Sequence, residues 1–198
     1  MVIKMNETIQ NLIKAFIGES QARNRYSFYA KIAKKEGFEK ISQIFLVTAG
    51  NEKEHAKSLF YLIQELKKIE GLNINELVVE TSAPLTLGDT IENLKASIKG
   101  ENYEHSKLYP EFADIAEKEG LTEIANQLRA IAVAEKHHEE RFKKLLTELE
   151  NNTLFKKEKK VYWVCMECGY VHEDEEPPEE CPSCKHPRSY FELMCEEY

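Results

Sequence analysis

Glu52-Lys53-Glu54-His55 and Glu135-Lys136-His137-His138 each set a glutamate and a histidine three residues apart. Positions i and i+3 of a helix share a face. Each motif therefore aims a carboxylate and an imidazole at one point, which is half of a dinuclear metal site. Register gives the motifs their weight. Ile41, Phe45, Leu59, Leu62 and Leu66 form an apolar stripe whose gap is filled by Glu52 and His55. Ile124, Leu128, Ile131, Phe142, Leu145 and Leu149 form a second stripe, interrupted by Glu135 and His138. A single Glu-x-x-His on a charged helix reads as surface. Two of them in core stripes do not, because a buried carboxylate costs several kcal/mol unless a partner compensates it. Cations between the four side chains would do so.

The elements that must position these residues follow from periodicity. Residues 6–36 read as a first helix, with Leu12, Phe16, Glu19, Tyr26, Ala30 and Ala33 along one stripe and Glu19 again in a core position. Asn6 is placed to cap its start and Gly37 to end it. A second helix is expected over about 39–68, antiparallel to the first. Residues 69–88 break the pattern with Gly71, Pro84 and Gly88, while Leu77-Val78-Val79 could lie extended. Such a stretch suits the long crossover of a four-helix bundle. Asp89-Thr90-Ile91-Glu92 resembles a capping box opening a third helix over about 89–119. Its inner face runs through Leu94, Ile98, Glu101, Glu104 or His105, Leu108, Phe112 and Ile115, and Pro110 predicts a kink or break. A fourth helix follows Gly120.

The two halves repeat. A shift of 83 residues aligns Gly37 with Gly120, Tyr26 with Tyr109, Glu52 with Glu135 and His55 with His138. A duplicated helix hairpin has an approximate two-fold axis, the natural seat of a two-metal site. Glu19 finds no counterpart at Asn102; the third helix offers Glu101 and Glu104 instead. The candidate set is Glu19, Glu52, Glu101, Glu104, Glu135, His55 and His138, whereas carboxylate-bridged di-iron bundles use four Glu and two His. The surplus carboxylate would let one metal change ligand with oxidation state. Tyr26 and Tyr109, at equivalent places in the repeat, are expected to be core tyrosines or hydrogen-bond donors to ligand carboxylates. His105, His137 and Glu54 lie off the strict stripes and read as surface or outer-sphere groups.

The 198 residues divide into a bundle over 1–150, a polar, basic linker over 151–160 and a small module over 161–198. The five cysteines all lie between Cys165 and Cys195, which suggests metal rather than disulfides in a cytosolic chain. Cys165-x-x-Cys168 and Cys181-x-x-Cys184 form a tetrahedral thiolate cage for Fe or Zn. Tyr162, Trp163, Tyr170 and Phe191 supply an aromatic core, and so small a unit needs the metal as its staple. Cys195 reads as a partly buried or free thiol, His172 and His186 as exposed rather than ligands, and the acidic run 173–180 as a solvated loop, with a docking surface for a basic redox partner the lesser option. A net charge of −8 argues against nucleic-acid binding. No apolar run approaches the ~20 residues of a membrane span, and residues 1–10 lack the apolar centre of a signal peptide, so a cytoplasmic location is expected.

The chain resembles the rubrerythrin family over nearly its whole length. The resemblance is carried by Glu19 with Ala22-Arg23 and Tyr26, both Glu-x-x-His motifs, Gly100-Glu101-Asn102-Tyr103-Glu104 with Tyr109, and the two cysteine elements, which resemble rubredoxin. It implies a ferritin-like all-α four-helix bundle plus a rubredoxin-like β module. It implies two irons in the bundle and one in the cysteine cage, with zinc as a substitute there. Glu52 and Glu135 would bridge the irons. Glu19 and Glu104 would serve the first, with His55 the alternative to Glu104, while Glu101 and His138 would serve the second. The implied activity is reduction of hydrogen peroxide to water. Electrons would come from NAD(P)H through a separate reductase or a rubredoxin. A ~30-residue helix is about 45 Å long, so the small module is expected to serve the bundle of another copy in a homodimer or larger assembly, and the long segment before the third helix would permit exchange of helices. The competing readings are a ferrous iron oxidase and storage protein, which would not need the electron-transfer module, and a zinc-bearing scaffold.

Overall fold

The structure is a computed structural model that describes residues 6–195. Residues 1–5 and 196–198, the outer ends of the two expected domains, lie outside the described residues, as does half of the stretch read against a signal peptide. Helices α1 (Glu7–Lys35) and α2 (Glu39–Ile69) form the first hairpin. The second pairs an interrupted rod with α5 (Thr122–Glu150). That rod is α3 (Thr90–Tyr103), a π-helical turn (Glu104–Leu108) and α4 (Tyr109–Lys118). The break expected at Pro110 is thus a π turn just before it. Pro110 itself sits in the first turn of α4, where its missing N–H is tolerated.

The helix ends repeat the two-fold relation. Gly37 (φ 85°) and Gly120 (φ 79°) adopt the left-handed conformation that closes α1 and α4. Past them, Phe38 N–H bonds Ala33 O at 2.8 Å and Leu121 N–H bonds Ala116 O at 2.8 Å. The expected cap by Asn6 is not made, since its side chain accepts no hydrogen bond from the helix. The Glu119 carboxylate takes that place, accepting from Glu7 N (2.8 Å) and Thr8 N (3.0 Å). At the equivalent corner, Glu36 accepts from Thr90 N at 3.0 Å, beside the capping box of Asp89 and Glu92. A carboxylate from one hairpin neutralises the helix start of the other.

Two apolar clusters fill the bundle. One gathers Ile9, Leu12, Leu59, Leu66 and Leu128; the other gathers Tyr26, Tyr29, Phe45 and Phe142 in edge and tilted ring contacts. The buried glutamates lie between them. The crossover 70–89 contains no strand, so Leu77-Val78-Val79 is irregular rather than paired. It is held where Leu77 packs on the first cluster and where Tyr29 Oη donates to Thr86 O at 2.7 Å. No described helix is long and apolar enough to cross a membrane.

In the small module, β1 (Val161–Cys165) pairs antiparallel with β2 (Val171–Asp174) and β3 (Phe191–Leu193), in the order β2-β1-β3. Trp163, Phe191, Cys165 and Cys181 are its buried core. Segment 151–160 is docked: Leu154 packs on the aromatic cluster and Lys157 reaches Glu148 at 2.7 Å. Lys40 of α2 pairs with Glu192 of β3, which seats the module at the Lys40 end of the bundle. The acidic run is more than a solvated loop. Glu176 meets Lys156 (2.9 Å) and Arg188 (3.3 Å), Glu179 meets Arg188 (2.8 Å), and Pro177 is buried.

Candidate metal centre

Glu19 of α1, Glu52 and His55 of α2, Glu101 of α3, and Glu135 and His138 of α5 converge at mid-bundle. Among the described residues, ligand atoms within 4.8 Å of one another form two groups: Glu19, Glu52, His55 and Glu135, and Glu52, Glu101, Glu135 and His138. Glu52 and Glu135 belong to both. Glu52 offers Oε2 to His55 Nδ1 (3.0 Å) and Oε1 to His138 Nδ1 (3.2 Å). Glu135 offers Oε1 to His55 Nδ1 and Oε2 to His138 Nδ1, each at 2.8 Å. Each carboxylate thus turns one oxygen to either side, the geometry of a bridge. The terminal carboxylates are more distant: Glu19 Oε2 is 4.0 Å from His55 Nδ1, and Glu101 Oε2 is 3.6 Å from His138 Nδ1.

The chemistry of this set fits cations. Four of its glutamates and His138 are no more than 3% exposed. Glu52 Oε1, Glu101 Oε2, both Glu135 oxygens and His138 Nδ1 are buried without a hydrogen bond, although they crowd together. Their spacing is near the ~3 Å edge of a polyhedron with ~2.1 Å metal bonds. Without a cation the electrostatics are strained. Burial, then the carboxylates of Glu135, Glu52 and Glu104, push Glu19 well up. Burial raises Glu101 to about 8. Burial works against the His55 imidazole, yet Glu135 and Glu52 overcome it and raise its pKa to about 9.

The tyrosines cross over. Tyr26 Oη donates to Glu101 and Tyr109 Oη to Glu19, so each half of the repeat orients the terminal carboxylate of the other. Glu104 does not join either group; it is half-buried on the π turn. His137 and Glu54 are exposed, the latter paired with Lys57 at 2.9 Å. His105 is an outer partner: its Nε2 lies 3.1 Å from Glu139, a buried carboxylate that the sequence reading passed over. Glu139 carried a signal, being one turn beyond Glu135. Also missed was Arg141, whose guanidinium donates to Thr48 Oγ1.

In the small module Cys165 and Cys184 sulfurs lie 3.7 Å apart and those of Cys168 and Cys181 3.6 Å apart. A tetrahedron with 2.3 Å metal–sulfur bonds has edges of about 3.8 Å. The two knuckles match: Gly169 N bonds Cys165 O at 2.8 Å and Lys185 N bonds Cys181 O at 2.9 Å, with φ 75° and 65°. The Tyr170 amide, then the neighbouring thiols, bring Cys168 down to about 6. Burial raises Cys165. The His186 amide lowers Cys184, yet burial and the neighbouring thiols overcome it and push that thiol up to about 12. A cation is therefore needed to draw all four to thiolates. His186 is not exposed as expected but half-buried, with Nδ1 3.3 Å from Cys184 Sγ. His172 is half-buried as well, and Cys195 is an exposed free thiol.

The fold and these two sites define a class: a ferritin-like bundle enclosing a dinuclear carboxylate–histidine centre, joined to a four-cysteine module. The family model described as rubrerythrin matches residues 10–146, and that for the rubrerythrin rubredoxin-like domain matches residues 163–192. The chain is 64% identical over 198 residues to a putative rubrerythrin of Methanocaldococcus jannaschii, covering 100% of this chain and 97% of that one. It is 49% identical to rubrerythrin-1 of Clostridium acetobutylicum, covering 99% and 98%. Among solved structures, nigerythrin in a mixed-valence state aligns over 96% of this chain and 88% of its own, with 28% identity and TM-score 0.62. A bacterioferritin of Desulfovibrio desulfuricans shares the fold at 17% identity and TM-score 0.64, over 73% and 81%. The chain belongs to the rubrerythrin family. Its cofactors are those of that family: a di-iron centre in the bundle and one iron in the cysteine cage.

Proposed function

We propose that the protein is a peroxidase that reduces hydrogen peroxide: H2O2 + 2 e⁻ + 2 H⁺ → 2 H2O. The observation that carries this reading is the pairing, in one chain, of a two-metal cage with a separate four-thiolate site. Iron storage needs no returning electrons; repeated peroxide turnover does. When bound, the iron pair supplies the two electrons that break the O–O bond, and the iron among the cysteines restores them singly. Glu52 and Glu135, shared by both ligand groups, would hold both irons. Glu19 and His55 would serve one of them, with Glu104 as the alternative to His55, and Glu101 and His138 would serve the other. Tyr26 and Tyr109 hold the terminal carboxylates in place. Burial, then the carboxylates facing them, push both phenols well above 10, so they keep their protons and act as donors.

Electrons come from a NAD(P)H-dependent reductase or a rubredoxin. The module docks at Lys40, twelve residues from Glu52, or about 18 Å along the helix at 1.5 Å per residue. That separation favours delivery from the module of one copy to the bundle of another, in a homodimer or larger assembly. The test is anaerobic. Fully reduced protein is mixed with peroxide and the visible band of the oxidised cysteine-ligated iron is followed. Its return in proportion to peroxide consumed is expected; bundle iron oxidised while that centre stays reduced would support iron oxidation and storage instead.

A further inference from the structure

A cavity of about 480 Å³ opens between α1 and α3 beneath crossover residues 80–84. Glu104 and Tyr109 line it, Gly18 and Gly100 flank it, and Gln21 and Arg25 of α1 complete its polar side. Tyr109 donates to Glu19, so the cavity lies one side chain away from the metal cage. The space beside the glycines is open: a Cβ built on Gly18 or Gly100 meets nothing within 4 Å. Glu104 lies here, outside both ligand groups. Arg25 is fixed by its Nε hydrogen bond to Gln21 (2.8 Å) and by the Tyr26 ring, 5.8 Å from its guanidinium carbon. Its Nη1 is buried with no partner. A buried guanidinium donor left unmade is costly. Two carboxylates line the same cavity, Glu80 and Glu104. Glu80 is exposed, whereas Glu104 is half-buried and already feels the Arg25 charge, so Glu104 is the one placed to satisfy it.

We propose that this cavity is the port by which hydroperoxides reach the bundle's metal site, with Glu104 as its gate and Arg25 as the positioning residue that holds the gate carboxylate aside. The proposal rests on the peroxidase reading and extends it to substrate class. A space of 480 Å³ exceeds many times the ~10–15 Å³ of such space that holds one water, so small alkyl hydroperoxides fit: ROOH + 2 e⁻ + 2 H⁺ → ROH + H2O, with the electrons drawn from the reduced iron pair. Gln21 and Arg25 face the peroxide oxygens, while Ala15, Leu108, Phe112 and Pro84 offer apolar surface to the alkyl group.

The test uses the full-length, iron-loaded and reduced protein, mixed separately with hydrogen peroxide and tert-butyl hydroperoxide. The wild type reacts with both. Gly100→Leu, whose side chain enters open space, slows tert-butyl hydroperoxide by about tenfold or more and hydrogen peroxide by less, the size discrimination of a narrowed pocket. Gly100→Ala shifts the ratio in the same direction by less, and covers the case in which leucine disturbs folding. Arg25→Met slows both peroxides alike. In crystals of the reduced protein it also removes Glu104 from the position beside residue 25 that the carboxylate takes in the wild type. If hydrogen peroxide fails to re-oxidise the reduced wild type, the peroxidase reading itself falls. If hydrogen peroxide reacts but tert-butyl hydroperoxide does not, or the Gly100 variants leave the ratio unchanged, the port is wrong. If Glu104 keeps the same position with and without the guanidinium, the role of Arg25 is wrong.

Discussion

The two hairpins of the bundle differ by one residue, and that residue changes the metal site. Glu19 and Tyr26 are seven residues apart on α1; their counterparts Glu101 and Tyr109 are eight apart. Seven residues make nearly two turns and keep both side chains on one face. Eight would carry Tyr109 about 100° further round an ordinary helix. The π turn Glu104–Leu108 absorbs the extra residue, and Tyr109 regains the register from which it donates to Glu19. The first hairpin shows the plain version of the element. The second shows that an insertion can add a carboxylate, Glu104, beside the cage without disturbing the partners on either side.

That comparison can be broken at its centre first. Glu52 and Glu135 are the shared members of both ligand groups, so Glu135→Ala should abolish both bundle metals, whereas Glu101→Ala should spare the first. Metal analysis of the purified variants reads this directly, and equal losses from the two would deny the bridge. The destabilisation from breaking up a buried charged set is about 3–5 kcal/mol, read by denaturant unfolding.

Deleting Ser106, an exposed residue of the π turn, removes the asymmetry. The expected product is a continuous helix with both tyrosine–glutamate pairs intact and two metals still bound, but with slowed peroxide turnover because Glu104 is out of reach as the alternative to His55, even though the cavity is left open. An unfolded or metal-free product would mean that the π turn is not a local insertion.

A third, smaller effect concerns pH. In the metal-free protein His55 is raised to about 9 from 6.5, and Glu101 to about 8 from 4.5. A group whose folded pKa is raised stabilises fully below its unfolded value and loses that contribution as pH rises through the folded one. The melting temperature of the metal-free protein should therefore fall between roughly pH 4.5 and 9, Glu101 contributing the loss up to about 8 and His55 the loss from about 6.5 to 9. The iron-loaded protein, whose ions hold the ligands deprotonated, should not follow it. Smallest is the tyrosine pair. Tyr26→Phe and Tyr109→Phe each remove one hydrogen bond to a carboxylate, for about 1.5–3 kcal/mol; closely matched losses in thermal unfolding would uphold the two-fold relation.

Much of this site was legible because burial makes charge conspicuous. Glu19, Glu52 and Glu135 interrupt apolar stripes, and nothing but a compensated site explains carboxylates there. The cysteine spacing carried the module in the same way. What was not legible depended on register rather than residue type. The uniform 83-residue shift left Glu19 without a counterpart; a shift of 82 before the insertion matches Leu12 with Leu94, Gly18 with Gly100 and Glu19 with Glu101. The step from 82 to 83 was the signal for the π turn. The cap from Glu119 to Thr8, and the bond from Arg141 to Thr48, join residues distant in sequence. No local pattern announces either.

Anomalous diffraction at the iron edge, on crystals of the iron-loaded protein, tests the central claim most directly. Three peaks are predicted per chain: two flanked by Glu52 and Glu135, one inside the four cysteine sulfurs. A single bundle peak, or none, in protein whose cysteine site is filled would contradict it.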